Sequence, residues 1–199
     1  MCSIVASFDK EKLKELYKLN SYRGELSYSL TSFQPGLKIG IMMQDEGKMP
    51  DSLIDSLPIA PVDYIVAHSQ APTTEAKNIH PAVYGNVMLW HNGIIKQKSI
   101  PEETWDTQWL LEQIVYYGWS SLSRIDGTFA CIMYNNGHLF VFRNEISPMF
   151  YDKNLNFSST KFEGSEPLEP NKVFEINTEY KQLSTVAFFQ THENPYFFA

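Results

Sequence analysis

Cys2 is the residue with the clearest potential for chemistry, because it directly follows Met1 and is one of two cysteines in the sequence. The simplest interpretation is a small apolar residue at the start of a strand. If Met1 is removed, however, Cys2 carries a thiol and a free α-amine on one residue. An α-amine has a pKa near ~7.7–8, so a useful fraction is neutral and can accept the thiol proton. Cys2 is therefore a candidate nucleophile that needs no separate histidine base.

Two further segments are able to complete such a site. The motif His91-Asn92-Gly93 follows a short apolar run, and an Asn-Gly pair most often forms a turn. The same pair can also present an amide N–H beside a backbone N–H, which suits the oxyanion formed in acyl transfer. Asp106 opens a helical pattern, where a carboxylate commonly favours the helix dipole. Its alternative role is to hold a substrate ammonium group.

The other cysteine and the histidines carry weaker signals. Cys131 lies between Ala130 and Ile132, which predicts a core position. A disulfide between Cys2 and Cys131 is not expected in a reducing compartment. No histidine has a cysteine or histidine partner at metal-ligand spacing, so we expect neither a metal site nor a cofactor. The histidines are His68, His80, His91, His138 and His192.

Composition narrows the class of protein. The chain has 199 residues, 43% of them hydrophobic, and 16 basic against 23 acidic side chains give a net charge of −7. This predicts one globular domain over residues 1–199 and argues against binding nucleic acid or acidic membranes, which both need a basic face. There is no basic leader and no apolar run of about 18 residues, so we expect a cytoplasmic protein.

The elements that must position these residues are mainly short strands. Asp9 is a predicted N-cap for a helix with Leu13, Leu16, Tyr17 and Leu19 on one face, and Thr104–Tyr117 is a helix ended by Gly118. A short helix is expected around Ser52–Leu57. The predicted strands are Cys2–Phe8, Leu26–Thr31, Leu37–Met43, Tyr64–Ala67, Val87–Trp90, Thr128–Tyr134, Leu139–Arg143, Met149–Tyr151, Leu155–Ser158, Val173–Ile176 and Leu183–Phe189. So many strands predict an α+β fold with two sheets.

The order and spacing of several motifs are more specific than any one of them. They are Met1-Cys2-Ser3-Ile4, Tyr22-Arg23-Gly24, Ala67-His68-Ser69 with Thr73, His80-Pro81, His91-Asn92-Gly93-Ile94-Ile95, Asp106-Thr107, Ile125–Ala130, Arg143 and Phe157–Lys161. This series resembles the class II glutamine amidotransferase domain of the N-terminal nucleophile (Ntn) hydrolase type, as in asparagine synthetase B and glucosamine-6-phosphate synthase. The resemblance implies a four-layer α/β/β/α sandwich with two antiparallel sheets.

The same resemblance implies roles for individual residues. Cys2 would attack the side-chain amide of glutamine, and the Asn92 side chain with the Gly93 backbone would form the oxyanion hole. Asp106 would bind the α-ammonium group, while Arg23 and Gly24 would support the nucleophile. The remaining substrate-binding positions implied are Gln70 and His91, together with His68, Ser69 and Thr73 on a loop that closes over the substrate.

One departure from the family pattern bears on the substrate. Gln70 stands where the family has an arginine that clamps the α-carboxylate of glutamine, and Ala71 replaces a larger residue. A neutral amide in place of a guanidinium fork costs about 1–3 kcal/mol of binding, or roughly 5- to 150-fold in affinity. The motifs Arg23-Gly24-Glu25-Leu26 and Arg143–Ser147 also diverge from the family pattern.

Three hypotheses follow. The first is a stand-alone glutamine amidotransferase subunit that supplies ammonia to a separate synthase, because no phosphate-binding glycine loop follows in the chain. The second is an inactive Ntn-fold binding or regulatory protein, which Gln70 and Ala71 favour. The third is an amide hydrolase for a substrate other than free glutamine, such as a larger γ-glutamyl compound. Retention of Met1 would exclude the first mechanism.

Overall fold

Two antiparallel sheets and three α-helices make up the computed structural model, which describes residues 2–71 and 78–191. The α-helices are α1 Lys10–Leu19, α2 Leu53–Ser56 and α3 Asp106–Tyr117, and 3-10 helices cover Ser21–Arg23 and Trp119–Arg124. The strands are β1 Ser3–Ser7, β2 Ser27–Gln34, β3 Lys38–Glu46, β4 Tyr64–Gln70, β5 Ala82–Tyr84, β6 Val87–Ile95, β7 Gly127–Asn135, β8 His138–Arg143, β9 Phe150–Tyr151, β10 Phe157–Ser158, β11 Glu166–Pro167, β12 Lys172–Asn177 and β13 Gln182–Phe188.

The strands are divided between a seven-stranded and a six-stranded sheet. The first sheet has the order β11-β9-β10-β1-β4-β2-β3, and the second has the order β13-β12-β8-β7-β6-β5. The strand pairs in the described part of the chain run antiparallel. Strand β1 is central in its sheet, because β10 and β4 pair with its two edges. Cys2, which precedes β1, therefore lies at the end of a central strand.

Alternating side chains on each strand build three apolar clusters and four layers. On β1, Ile4 and Ala6 face the second sheet, whereas Val5 faces the helices α1 and α2. On β6, Met88 and Trp90 face the first sheet, whereas Leu89 packs with α3. The layers are thus helices, sheet, sheet and helix, and the expected α/β/β/α sandwich with two antiparallel sheets is confirmed. No helix in the described ranges is long and apolar enough to cross a membrane.

Helix α1 forms as its sequence predicts. Asp9 caps it by accepting hydrogen bonds from the backbone N–H groups of Glu11 and Lys12 at 2.8 and 3.2 Å. Leu13 and Leu16 are fully buried against the first sheet. The predicted apolar face is narrower than expected, because Leu19 in the last turn is 38% exposed.

The sequence Asn135-Asn136-Gly137, an Asn-Gly pair between two strand patterns, favours a hairpin, and the structure has one there. It joins β7 to β8, and Asn136 and Gly137 have φ values of 48° and 90°. Positive φ at both central residues is the requirement of the turn that matches the twist of a hairpin.

Two predictions about connections are wrong. The motif His91-Asn92-Gly93 does not form a turn, because β6 continues to Ile95 and pairs with β7 throughout. His68 and Ser69 do not lie on a loop, because β4 extends to Gln70 and is paired on both edges, with β1 and with β2. At Asn92-Gly93, ladder hydrogen bonds to the neighbouring strand override the local preference for a turn. At His68 and Ser69, the loop that the resemblance implied is replaced by the paired end of β4.

Candidate active site

Cys2 lies at the head of β1, between the two sheets and nearly out of contact with solvent. Its side chain is on the face of Ile4 and Ala6, and the residue is 7% exposed. The thiol donates to the carbonyl oxygen of Ala71, with an Sγ–O distance of 3.7 Å. Burial raises the pKa of the Cys2 thiol; the Ala71 contact and the charge of Arg23 oppose this effect, while the charge of Asp106 adds to it. A thiolate at this position therefore requires a base.

Arg23 and Gly24 support the end of this strand. The buried Arg23 donates from Nε to the carbonyl oxygen of Cys2 at 2.9 Å. A side-chain carbon on Gly24 would lie 2.4 Å from the backbone nitrogen of Ala71, so the close approach of these segments requires glycine. The pair Arg23-Gly24 thus fixes the backbone of both Cys2 and Ala71.

Asn92 extends from the facing sheet towards the head of β1. Its Nδ2 donates to the Ser159 hydroxyl at 3.4 Å, and both residues are buried. The same hydroxyl accepts from the backbone N–H of Ile4 at 3.0 Å. Ser159 therefore connects the predicted oxyanion donor to the strand that carries the predicted nucleophile. Ser159 belongs to the motif Phe157–Lys161, but its residue type and spacing indicated no role.

Gly93 allows β6 to approach β7 closely. A side-chain carbon there would lie 1.9 Å from the carbonyl oxygen of Thr128 and 2.7 Å from Nε2 of His91. Because Thr128 belongs to the paired strand, its backbone cannot move without breaking the ladder. Because Gly93 has no side chain, no side chain of this residue covers the backbone after Asn92.

Asp106 is the first residue of α3, and its carboxylate turns back to the end of β6. Oδ2 accepts from the backbone N–H of Ile95 at 3.1 Å, and Oδ1 accepts from the Thr107 hydroxyl at 3.3 Å. The helix start thus holds β6 and α3 together, and its N-terminal dipole favours the negative charge. The carboxylate is half-buried, so it retains contact with solvent.

The side chain of His91 lies on the opposite face of β6 from Asn92, towards α3. Its Nδ1 is 3.0 Å from the Thr107 hydroxyl, and its Nε2 is 3.1 Å from the carbonyl oxygen of Thr128. A carbonyl oxygen accepts but never donates, so Nε2 carries the hydrogen. His91 therefore fixes Thr107 and the start of α3, and so acts on Asp106 through its neighbour.

His68, His80 and Gln70 form a buried polar group behind Cys2. His68 donates from Nε2 to the carbonyl oxygen of His91 at 3.2 Å and stacks on His80 with ring centroids 3.8 Å apart. Burial lowers the pKa of His68 to about 3 and lowers that of His80 well below its usual value. His80 Nδ1 lies 3.4 Å from Oε1 of Gln70, while its Nε2 lies 3.3 Å from the Thr107 hydroxyl. Both rings are consequently neutral at physiological pH.

The predicted site residues that the structure describes thus lie at one end of the sandwich. Thr73 lies outside the described residues. Gln70 is in β4, and its Oε1 accepts from the Ser27 hydroxyl at 2.9 Å. Sequence reasoning missed Thr107 and Ser159; both follow or belong to quoted motifs, but a hydroxyl that bridges two elements has no distinctive spacing.

Cavities lined by described residues include ones of about 560, 530, 70 and 220 Å³, and Cys2 is not among the described residues that line these. The cavity of about 70 Å³ is lined by Ser27, Asn78 and Ile79, and the cavity of about 560 Å³ shares Asn78 and Ile79 with it. Among residues 2–71 and 78–191, no group of three or more His, Cys, Asp or Glu side chains is arranged to hold a metal ion.

Comparison with known proteins identifies the fold. No protein-family model and no curated protein matches the sequence. Among solved structures, the chain is similar to glutamine phosphoribosylpyrophosphate amidotransferase from B. subtilis complexed with ADP and GMP, with a TM-score of 0.67 and 16% identity. It is also similar to a structure described as the allosteric regulatory enzyme of purine biosynthesis, with a TM-score of 0.64 and 17% identity. Both similarities cover 94% of this chain.

The chain therefore has the fold of the class II glutamine amidotransferase domain, an Ntn-hydrolase fold, as the sequence resemblance implied. It spans about half the length of the two solved chains, 49% and 48% respectively.

Proposed function

We propose that the chain hydrolyses the side-chain amide of glutamine through a thioester on Cys2 and supplies the ammonia to a separate synthase subunit. The observation that carries this proposal is the position of Cys2 at the head of a central strand. There, Arg23 holds its carbonyl oxygen and Ser159 connects its strand to Asn92. The fold, which is shared with an amidotransferase, supports the same class of reaction.

The chemistry begins with removal of Met1, which leaves the α-amine on Cys2. The amine accepts the thiol proton, and the sulfur attacks the amide carbon to form a C–S bond. The C–N bond then breaks, and the nitrogen leaves as ammonia after taking up a proton. Water hydrolyses the thioester, which releases glutamate and restores the thiol. The overall reaction consumes one water and yields one ammonium ion and one carboxylate.

The other site residues have assigned roles in this proposal. Asn92 and the Gly93 N–H stabilise the oxyanion, and Asp106 binds the substrate ammonium group. His68 and His91 are positioning residues, and Gln70 and Thr73 contact the substrate. Removal of one oxyanion donor typically lowers kcat by about 100- to 1,000-fold, and we expect this of Asn92→Ala. We also propose one domain over residues 1–199 in a reducing, cytoplasmic setting, which suits free Cys2 and Cys131.

A specific observation favours a second function, an Ntn-fold binding or regulatory protein without turnover. Cys2 is 7% exposed among the described residues, so its sulfur is poorly accessible to a substrate. The first function therefore requires the site to open, whereas the second does not.

The test measures ammonia release from glutamine by protein with a mass that proves removal of Met1. Wild type should release ammonia, and Cys2→Ala should release none above the blank. Cys131→Ala is the matched control, because it removes a buried cysteine on the other sheet and should retain activity. Equal background rates for wild type and Cys2→Ala, or a native protein that retains Met1, would contradict the proposal and favour the binding protein.

A further inference from the structure

Gln70 lies beside Cys2 on the same face of the first sheet. Strands β1 and β4 pair with Ser3 opposite Ser69, so the next opposed pair in this register is Cys2 and Gln70. On its other edge, Gln70 is opposite Ser27 of β2. Opposed side chains of antiparallel strands share a face, with Cβ atoms about 5 Å apart. The Gln70 carboxamide is thus a neighbour of the predicted nucleophile.

Only the oxygen of the Gln70 carboxamide has hydrogen-bond partners among the described residues. Gln70 is 8% exposed, and its Oε1 accepts from the Ser27 hydroxyl at 2.9 Å and lies 3.4 Å from His80 Nδ1. Its Nε2 has no hydrogen-bond partner within residues 2–71 and 78–191. This N–H group is therefore available to a ligand oxygen, and a hydrogen bond between the two contributes about 0.5–1.5 kcal/mol.

Within residues 2–71 and 78–191, the charges given near Gln70 and Cys2 do not favour a carboxylate. The adjacent rings of His68 and His80 are neutral, because burial lowers their pKa values. Asp106 contributes a negative charge that acts on Cys2, and Arg23 already donates to the Cys2 carbonyl oxygen and to the Tyr22 hydroxyl. A neutral carbonyl oxygen is a better match for the Gln70 donor than an anionic carboxylate that lies near Asp106.

The space beyond Gln70 is large enough for a continuing chain. Ser27, the hydrogen-bond partner of Gln70, lines the cavity of about 70 Å³ with Asn78 and Ile79. The cavity of about 560 Å³ shares those two residues and extends to Trp105, next to Asp106. Gln70 itself lines neither cavity, so atoms beyond the glutamine would continue past Ser27 into the cavity that Ser27 lines.

From the juxtaposition of Cys2, a neutral Gln70 donor and a cavity lined by Ser27, the hydrogen-bond partner of Gln70, we infer that the substrate is a glutamine residue at the amino terminus of a peptide. Its free ammonium group binds Asp106, and its backbone carbonyl, which is part of a peptide bond, accepts from Gln70 Nε2. The following residues extend towards Asn78 and Ile79. This inference rests on the proposed function, and the side-chain amide reacts with Cys2 as described above.

The experiment compares L-glutamine with the tripeptide glutaminyl-glycyl-glycine as substrates for the processed wild-type protein. Ammonia release is corrected for the spontaneous cyclisation of the peptide, and mass spectrometry identifies a glutamyl product. We expect kcat/KM for the tripeptide to exceed that for glutamine at least about tenfold, the equivalent of one lost charge-assisted contact. A wild type that uses free glutamine equally well or better would overturn the inference and leave the proposed function intact. Ammonia from neither substrate would overturn both.

Two substitutions test the role of Gln70 itself. Gln70→Arg introduces a cation for a free carboxylate, and it should shift the ratio of the two kcat/KM values about tenfold towards glutamine. The matched control is Gln34→Arg, at the exposed end of β2, which should leave the ratio unchanged. Gln70→Met keeps the size, removes the donor and should abolish the tripeptide preference, so it tests the inference if the arginine variant does not fold. An unchanged ratio in a folded Gln70 variant would contradict the inference.

Discussion

Acidification from pH 8 to pH 5 should destabilise the fold through its buried neutral histidines, and His68 allows the size of the effect to be calculated. Burial lowers its pKa from 6.5 to about 3 in the folded chain. Below pH 6.5 the unfolded chain therefore binds a proton that the folded chain does not, so stability is lost as the pH falls. At pH 5 the loss from His68 alone is about 2 kcal/mol. His80 adds to it in the same direction.

The assay is denaturant unfolding at pH 8 and pH 5, a range that avoids most titration of carboxylates. His68→Asn should be less stable than wild type at pH 8, because it loses the stacking on His80 and a hydrogen bond. Its loss of stability on acidification should nevertheless be smaller than that of wild type by about 2 kcal/mol. His138→Asn, at an exposed position, is the matched control. A pH dependence in His68→Asn equal to that of wild type would refute this reasoning.

Two further predictions concern Gly93 and Cys2. Gly93→Ala should destabilise the fold by several kcal/mol in denaturant unfolding, because its side chain would lie 1.9 Å from the Thr128 carbonyl oxygen. The control Gly85→Ala, in open space at φ +57°, should lower the free energy of unfolding by only about 1–2 kcal/mol. Equal losses in the two variants would contradict the overlap at Gly93. Burial raises the pKa of the Cys2 thiol, so in protein that retains Met1 its reaction with iodoacetamide should have a pH midpoint above 9.0. Peptide mapping follows the modification of Cys2. A midpoint at or below 9.0 would contradict the assigned environment.

The parts of the fold that sequence predicted well are those fixed by local chemistry. The Asp9 cap and the Asn136-Gly137 turn depend on a few adjacent residues, so their sequence signals survive in the structure. The motif His91-Asn92-Gly93 has an equally strong turn signal but lies within a strand. Its conformation is decided by pairing with Thr128–Cys131, about 40 residues away, and no local rule reports that contact.

The candidate site divides in the same way. The sequence order led to Cys2, Asn92 and Asp106, and the structure brings the elements that carry them to one end of the sandwich. The sequence could not indicate that Ser159 joins two of these elements, since a serine hydroxyl has many possible partners. Nor could it show that the Gln70 oxygen is taken up by Ser27, which depends on the register of β2 and β4.

Two strands change from apolar to polar side chains beside the Cys2 thiol. Antiparallel pairing places the start of β1 beside the end of β4, and the Asn92–Ser159–Ile4 contacts bring the end of β6 to the same place. On the faces between the sheets, Val66 of β4 is followed by His68, and Trp90 of β6 is followed by Asn92. A buried polar side chain costs about 1–3 kcal/mol where it is left unpaired, and hydrogen bonds to the His91 carbonyl oxygen and to the Ser159 hydroxyl remove that cost here. The end of the sandwich that carries Cys2 therefore has polar side chains that are already held in place, as the proposed function requires.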